Sequence, residues 1–193
     1  MRKENVMVKR IFVIALAVLV TASMASAVEI GGVNLPDSLT AGKNTLLLNG
    51  AGLRKKFIIK VYAGGLYLFK KNDDPKKIIA AYEPMAIRMH WIYDGASSED
   101  IVETWNEGFE KATCGDISPI KTEIDTFNAM FTEEAKKNDV YYIIYMPGQG
   151  VSVYIKGALK GTIKGIDFKK ALFYIWLGDK PADKKLKKGM LGK

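Results

Sequence analysis

The chain has 193 residues, 48% of them hydrophobic, 26% charged and 10% aromatic, with a formal net charge of +8. That apolar content is enough to build a core and excludes disorder as the dominant state. A single apolar run, at the N-terminus, excludes a polytopic membrane protein. The positive balance raises nucleic acid or an acidic membrane as partners, and the placement of the cations has to decide between them.

Arg2, Lys3, Lys9 and Arg10 precede the apolar run Ile11–Ala22, which is followed by the small residues Ala25, Ser26 and Ala27. A basic start, an apolar middle and a small-x-small end are the parts of a secretory signal peptide. The apolar run is about a dozen residues, short of the ~20 that span a bilayer. Cleavage after Ala27 is therefore expected, with export to the periplasm or outside the cell, and an uncleaved N-terminal anchor is the alternative. The segment's four basic residues and Glu4 account for three of the eight net charges, so the remaining 166 residues carry +5. Export permits disulfides, but Cys114 is the only cysteine and cannot form an internal one. Beside the helix-ending Gly115, it reads as a structural thiol.

No linker or repeat divides residues 28–193, which read as one domain. The run from Asn44 to Lys56 leads into Phe57–Phe69, whose β-branched and aromatic content, with Lys56 and Lys60 on one parity, predicts a strand with one partly solvated face. Gly64-Gly65 within it predicts a bulge or sharp bend. Asp74-Pro75 caps a short helix to about Tyr82, and Met85–Tyr93 reads as another strand. Ile101, Val102, Trp105 and Phe109 form one stripe of a helix over Ser98–Ala112. Ser118-Pro119 opens a second helix, with Ile120, Ile124, Phe127 and Phe131 on one side. Asn138-Asp139 is a turn before a strand over Val140–Met146, and Pro147–Gly150 turns it back into Val151–Ile155. Gly157–Lys164 reads as a short strand pair. Asp167 then caps a third helix, striped by Phe168, Ala171, Leu172, Ile175 and Trp176 and ended by Gly178 and Pro181. A basic helix over Ala182–Leu191 closes the chain. The class is α+β, a largely antiparallel sheet covered by helices on one face.

One histidine, one cysteine and scattered carboxylates offer no clustered metal ligands, and no cofactor is expected. His90, within a strand, reads as structural. No serine sits in a Gly-x-Ser-x-Gly turn, and Gly148-Gln-Gly150 joins two strands as a hairpin rather than opening a nucleotide-binding helix. Lys184, Lys185, Lys187 and Lys188 share the terminal helix with no interleaved aromatic residue. Base stacking is thus unsupported and nucleic acid is not expected. The helix reads as solvated, with at most weak attraction to an anionic membrane surface. The remaining candidate is Arg54, among apolar strands, followed eight residues later by Tyr62. An arginine entering an apolar cavity requires an anion, and a tyrosine hydroxyl can donate to the same one. The competing reading sets Arg54 on a solvated strand face with Lys56 and Lys60.

Several segments carry a family resemblance: Gly32–Pro36, Leu48–Arg54, Lys60–Leu68, Trp105–Phe109, Pro147-Gly148, Gly165–Phe168 and Ile175–Pro181. In order and together they resemble the chalcone isomerase-like family, in its exported bacterial branch. The resemblance implies an open-faced β-sandwich of chalcone isomerase type, a large antiparallel sheet meeting a helical layer with a ligand cleft between. In the plant isomerases, an arginine, a threonine, a tyrosine and an asparagine surround the substrate. Arg54 and Asn106 match two of these positions, whereas Tyr62 stands at the threonine, Glu99 at the tyrosine, and Ile175 at a serine or threonine near the C-terminus. A carboxylate facing a phenolate repels it, so the departures argue against chalcone isomerisation. The plastid fatty-acid-binding members resemble the chain better where they carry an arginine and a Lys-Val-Tyr-Ala segment that hold a fatty-acid carboxylate.

The resemblance thus implies a non-enzymatic binder of a small hydrophobic ligand such as a fatty acid, with Arg54, Tyr62 and Asn106 at the ligand. The alternative is an isomerase or intramolecular lyase acting on a phenolic substrate through Arg54 and Asn106, and a third reading is an interaction domain without a ligand. On one straight strand Arg54 and Tyr62 would stand ~26 Å apart. A turn or bulge between them is therefore a condition of their sharing a ligand.

Overall fold

The computed structural model describes residues 27–193. The signal-peptide reading of residues 1–27 falls, but for Ala27, outside the described residues. Seven strands form one antiparallel sheet in chain order: β3 (Ser38–Ala41), β4 (Asn44–Lys56), β5 (Ile59–Leu68), β6 (Met85–Trp91), β7 (Val140–Met146), β8 (Gly150–Ile155) and β9 (Ala158–Ile163). Ahead of them, β1 (Ala27–Ile30) and β2 (Val33–Pro36) pair as a separate hairpin. Helices α2 (Ser98–Ala112), α3 (Lys121–Asn128) and α4 (Ile166–Leu177) cover one face of the sheet, joined at its β4–β5 end by α5 (Lys184–Met190). The short α1 (Pro75–Ala80) packs on α4. The architecture is the expected α+β sandwich of sheet and helices.

Alternation explains the sheet. In β7 and β8, Tyr141, Ile143, Tyr145, Val151, Val153 and Ile155 are buried, while the residues between them are half-exposed, the period-2 pattern of a strand with one face on a core. The helices supply the other half of that core. Ile101, Trp105 and Phe109 of α2 meet Phe127 of α3 and Phe168, Leu172 and Trp176 of α4. Trp105 stands edge-on to Phe127 at 5.2 Å and to Trp176 at 5.5 Å between ring centroids. The opposite face of the sheet is covered in part by the β1–β2 hairpin, where Val33 and Leu35 bury against Ala63 and the Tyr67 hydroxyl donates to the Pro36 carbonyl at 2.9 Å.

Several local expectations are corrected. Phe57–Phe69 is not one strand: the chain reverses at Phe57-Ile58, so Lys56 ends β4 and Lys60 belongs to β5, and their shared parity has no meaning across a hairpin. Gly64-Gly65 makes no bend. Both pair in register with Gly52 and Ala51 on one side and with Met89 and Arg88 on the other. Gly64 lacks a side chain because α5 lies on it, with Met190 and Leu186 within 3.1 Å of where a Cβ would stand. The irregularities fall elsewhere, between Leu48 and Gly50 and between Arg54 and Lys55. Residues 157–164 form the single strand β9, paired to β8. Gly165, not Asp167, occupies the N-cap of α4, and Asp167 lies in its first turn. The terminal helix is not merely solvated: Leu186, Met190 and Leu191 are buried. Cys114 is exposed, at a left-handed φ of 55°, and so is not a packed structural thiol.

Candidate functional site

The β4–β5 hairpin creates the site. A two-residue turn at Phe57-Ile58 brings Arg54 and Tyr62 into direct register as cross-strand partners, about 5 Å apart at their Cα atoms as in any antiparallel pair. They project from the same face, the one covered by helices. Just beyond them the register slips by one residue, leaving Val61 unpaired within the hairpin, and its carbonyl instead accepts the N–H groups of Ile92 and Tyr93 at 2.9 and 3.0 Å. Both a turn and a bulge therefore lie between Arg54 and Tyr62, and the condition for a shared ligand is met.

The two side chains border a cavity of about 360 Å³ between the sheet and α2, within the size range of small-molecule sites. Its walls are mainly apolar, with Met89 and Trp91 from β6, Ile101 and Trp105 from α2, and Ile175 from α4. The spacing of Ile101 and Trp105, one helical turn, sets both over the same patch of sheet. The Ser97 hydroxyl fixes the start of α2 by accepting the Asp100 N–H at 3.0 Å, and it donates to the Asp100 carboxylate at 2.8 Å. Asp100 lies at the exposed rim of the cavity.

Tyr62 is buried, 6% exposed. Its oxygen accepts the Trp176 indole N–H at 2.9 Å, which leaves its own proton free for another acceptor. Desolvation pushes its pKa up to about 12, against the opposing pull of the Arg54 charge and the Trp176 hydrogen bond. The group is therefore a neutral donor at physiological pH and not a phenolate base. Arg54 is half-buried and donates to the Lys55 carbonyl. Among the described residues no carboxylate lies within 4 Å of its guanidinium as an ion pair. Asp183 is close enough to feel the Arg54 charge. Its oxygens are already taken by the backbone N–H groups of Lys55, Lys185 and Leu186 at 2.7–3.1 Å. Burial opposes its ionisation, but these N–H groups and Arg54 outweigh burial and hold its pKa below the usual carboxylate value. The arrangement is a guanidinium and a phenol O–H, side by side, at the polar end of an apolar cavity.

The third expected residue is elsewhere. Asn106 follows Trp105 and so points about 100° around α2. It is exposed and accepts the Asn128 side-chain N–H at 2.7 Å, tying α2 to α3 outside the cavity. Glu99 is likewise exposed in the first turn of α2. His90 faces away from the helices, with its ring nitrogens 3.3 Å from Arg88 Nη2 and 3.5 Å from Asn138 Oδ1. Among the described residues, no histidine or cysteine lines the cavity, and no group of three or more His, Cys, Asp or Glu side chains is arranged to hold a metal. Sequence reasoning missed Trp176 as the partner that orients Tyr62 and Asp183 as the acid beside Arg54. Asp183 had a legible signal, an aspartate just before the helical run Lys184-Lys185-Leu186. The indole N–H groups of Trp91 and Trp105, both cavity residues, are buried with no acceptor among the described residues.

A profile described as chalcone isomerase-like matches residues 27–192. No curated protein sequence matches the chain. Among solved structures, a fatty-acid binding protein of Arabidopsis thaliana shares the shape with a TM-score of 0.68 at 20% identity, over 83% of this chain and 92% of the plant protein. At that identity the likeness establishes the fold. With almost the whole described chain covered by one family profile, the chain belongs to the chalcone isomerase-like family.

Proposed function

We propose that the protein is an exported, non-enzymatic binder of a hydrophobic carboxylate such as a fatty acid, held between sheet and helices with its head group at Arg54 and Tyr62. One observation carries this reading: a guanidinium without an ion-pair partner among the described residues and a protonated phenol stand as cross-strand neighbours at the edge of an apolar cavity. Charge-assisted hydrogen bonds from both suit a carboxylate. Each buried methylene of the tail adds ~0.8 kcal/mol, and Arg54 supplies the charge without which the carboxylate would be brought to an apolar cavity unpaired. The Arabidopsis fatty-acid binding protein of the same fold supports the ligand class. Export rests on the charge and hydropathy pattern of residues 1–27.

The test is titration of delipidated protein with a medium-chain fatty acid. Saturable binding is expected, with loss in Arg54→Ala; unchanged binding by that variant overturns the reading. The isomerase alternative needs Asn106 at the substrate, and Asn106 lies outside the cavity. Incubation with naringenin chalcone checks it, and cyclisation is expected at the spontaneous rate.

A further inference from the structure

The tip of the β4–β5 hairpin has a property that ligand binding leaves unused. Phe57 and Ile58, the two turn residues, are each 93% exposed. Single apolar residues on a surface are ordinary, but two adjacent large ones, almost wholly in water at a projecting tip, mark an interaction surface. Phe57 also sits at a left-handed φ of 57°, a conformation that glycine or asparagine adopts at less cost than an aromatic residue. Cations flank the pair: residues 54–60 hold Arg54, Lys55, Lys56 and Lys60 and no acid. The Lys55–Asp183 hydrogen bond sets the first turn of α5, with exposed Lys184 and Lys185, beside the same tip. Asp183, the acid bonded to the tip, has its oxygens occupied by backbone N–H groups, and among the described residues the acid that lines the cavity is Asp100, at its rim. Phe57, Lys56 and Ile59 also line the cavity, so the tip and the mouth are one place.

We propose that this tip docks the protein on an anionic lipid bilayer. Phe57 and Ile58 enter the boundary between head groups and acyl chains, and Lys55, Lys56 and Lys60 meet the lipid phosphates. An apolar projection ringed by cations matches the layered chemistry of that surface, apolar below and negative above. A second copy of the chain fits less well, because tip-to-tip contact would bring both sets of cations together. Docking in this pose opens the cavity mouth onto the phase in which long-chain carboxylates dissolve. That last consequence rests on the proposed carboxylate site, whereas the docking itself does not.

The test uses the chain from Ala27 onward, which holds every strand and helix described. It is co-sedimented, with no fatty acid present, with vesicles of phosphatidylcholine alone or mixed with phosphatidylglycerol. Wild type is expected on the mixed vesicles and not on the neutral ones. Phe57→Ser/Ile58→Ser and Lys55→Gln/Lys56→Gln/Lys60→Gln are each expected to lower partitioning by roughly tenfold or more, at unchanged far-UV circular dichroism. A polarity-sensitive dye on Ile58→Cys, in a Cys114→Ser background, should shift to the blue on the mixed vesicles. Equal binding to both lipids, variants that bind like wild type, or a concentration-dependent dimer lost in the serine variant without vesicle binding would each overturn the proposal. Wild type that binds fatty acid in solution but no vesicles refutes docking alone. Wild type that binds vesicles but no fatty acid refutes the cavity reading alone.

Discussion

Arg54 and Tyr62 act through complementary properties. Arg54 presents a planar guanidinium whose donors match a carboxylate, and Tyr62 keeps its proton up to about 12 because it is buried. Tyr62 does not change protonation in the physiological range, so the pH dependence expected of binding is that of the ligand carboxylate. Affinity is expected to hold level from about pH 6 to 10. It falls below roughly pH 5 as the ligand carboxylate, with a pKa near that of glutamate, takes up its proton and loses its attraction to Arg54. Titration calorimetry across that range checks the profile. Tyr62→Phe removes one donor to the ligand and strands the Trp176 N–H without an acceptor. It should weaken binding about tenfold and lower folding stability by about 1–3 kcal/mol. Tyr62 was legible as a polar group inside an apolar run, whereas Arg54 stands beside Lys55 and Lys56, which offered a solvated reading, and the family resemblance singled it out. Asn106 was not legible, since a motif match says nothing about which side of α2 faces the sheet, and Trp105 had already claimed that side. The Trp176 partner is invisible in a helical stripe, which reports burial and not what the indole N–H meets.

At the level of elements, two contacts hold the frame around the cavity. Helix α5 lies directly on β4 and β5 because Gly50, Gly52 and Gly64 present no side chains to it. A Cβ at Gly50 would stand 2.2 Å from the Gly189 carbonyl oxygen, and one at Gly52 3.0 Å from the Leu186 backbone. Gly50→Ala must therefore lift α5, and it is expected to cost at least about 1–3 kcal/mol, the range for overpacking, as measured by chemical denaturation. The second contact is Lys169 of α4, fully buried, whose ammonium donates to the carbonyls of Ile79 and Ala81 at 2.7 and 2.9 Å at the end of α1. Burial pushes its pKa down to about 8, while those carbonyls and the nearby faces of Tyr145 and Phe173 favour the charged form. Lys169→Met leaves the carbonyls unpaired and should destabilise by roughly 2–4 kcal/mol in the same assay. The sequence showed α2 to the residue, through a clean stripe, and β8 through alternation. It did not show the reversal at Phe57-Ile58, because that turn lacks the glycine or asparagine that marks such hairpins. Nor did it show the role of the glycines, whose absent side chains read equally as a bend or as room for a neighbour.

At the scale of the whole molecule, much of the positive charge is gathered in two segments. Four cations gather in residues 54–60 and four more in residues 184–188, and Lys55 and Asp183 join these two segments. The excess positive charge is thus concentrated near one end of the sheet, at the cavity mouth, and composition alone could not locate it. A ligand that binds only the folded state also stabilises it, by about 2.7 kcal/mol at a hundred times its dissociation constant. Thermal unfolding with a saturating fatty acid should accordingly shift upward in wild type and stay put in Arg54→Ala. The most direct measurement is a crystal structure of the protein with dodecanoate. The carboxylate is predicted within hydrogen-bond distance of both the Arg54 guanidinium and the Tyr62 hydroxyl, with the tail running between Met89, Trp105 and Ile175. A carboxylate bound away from Arg54, or a cavity left without ligand at saturating dodecanoate, would contradict the account.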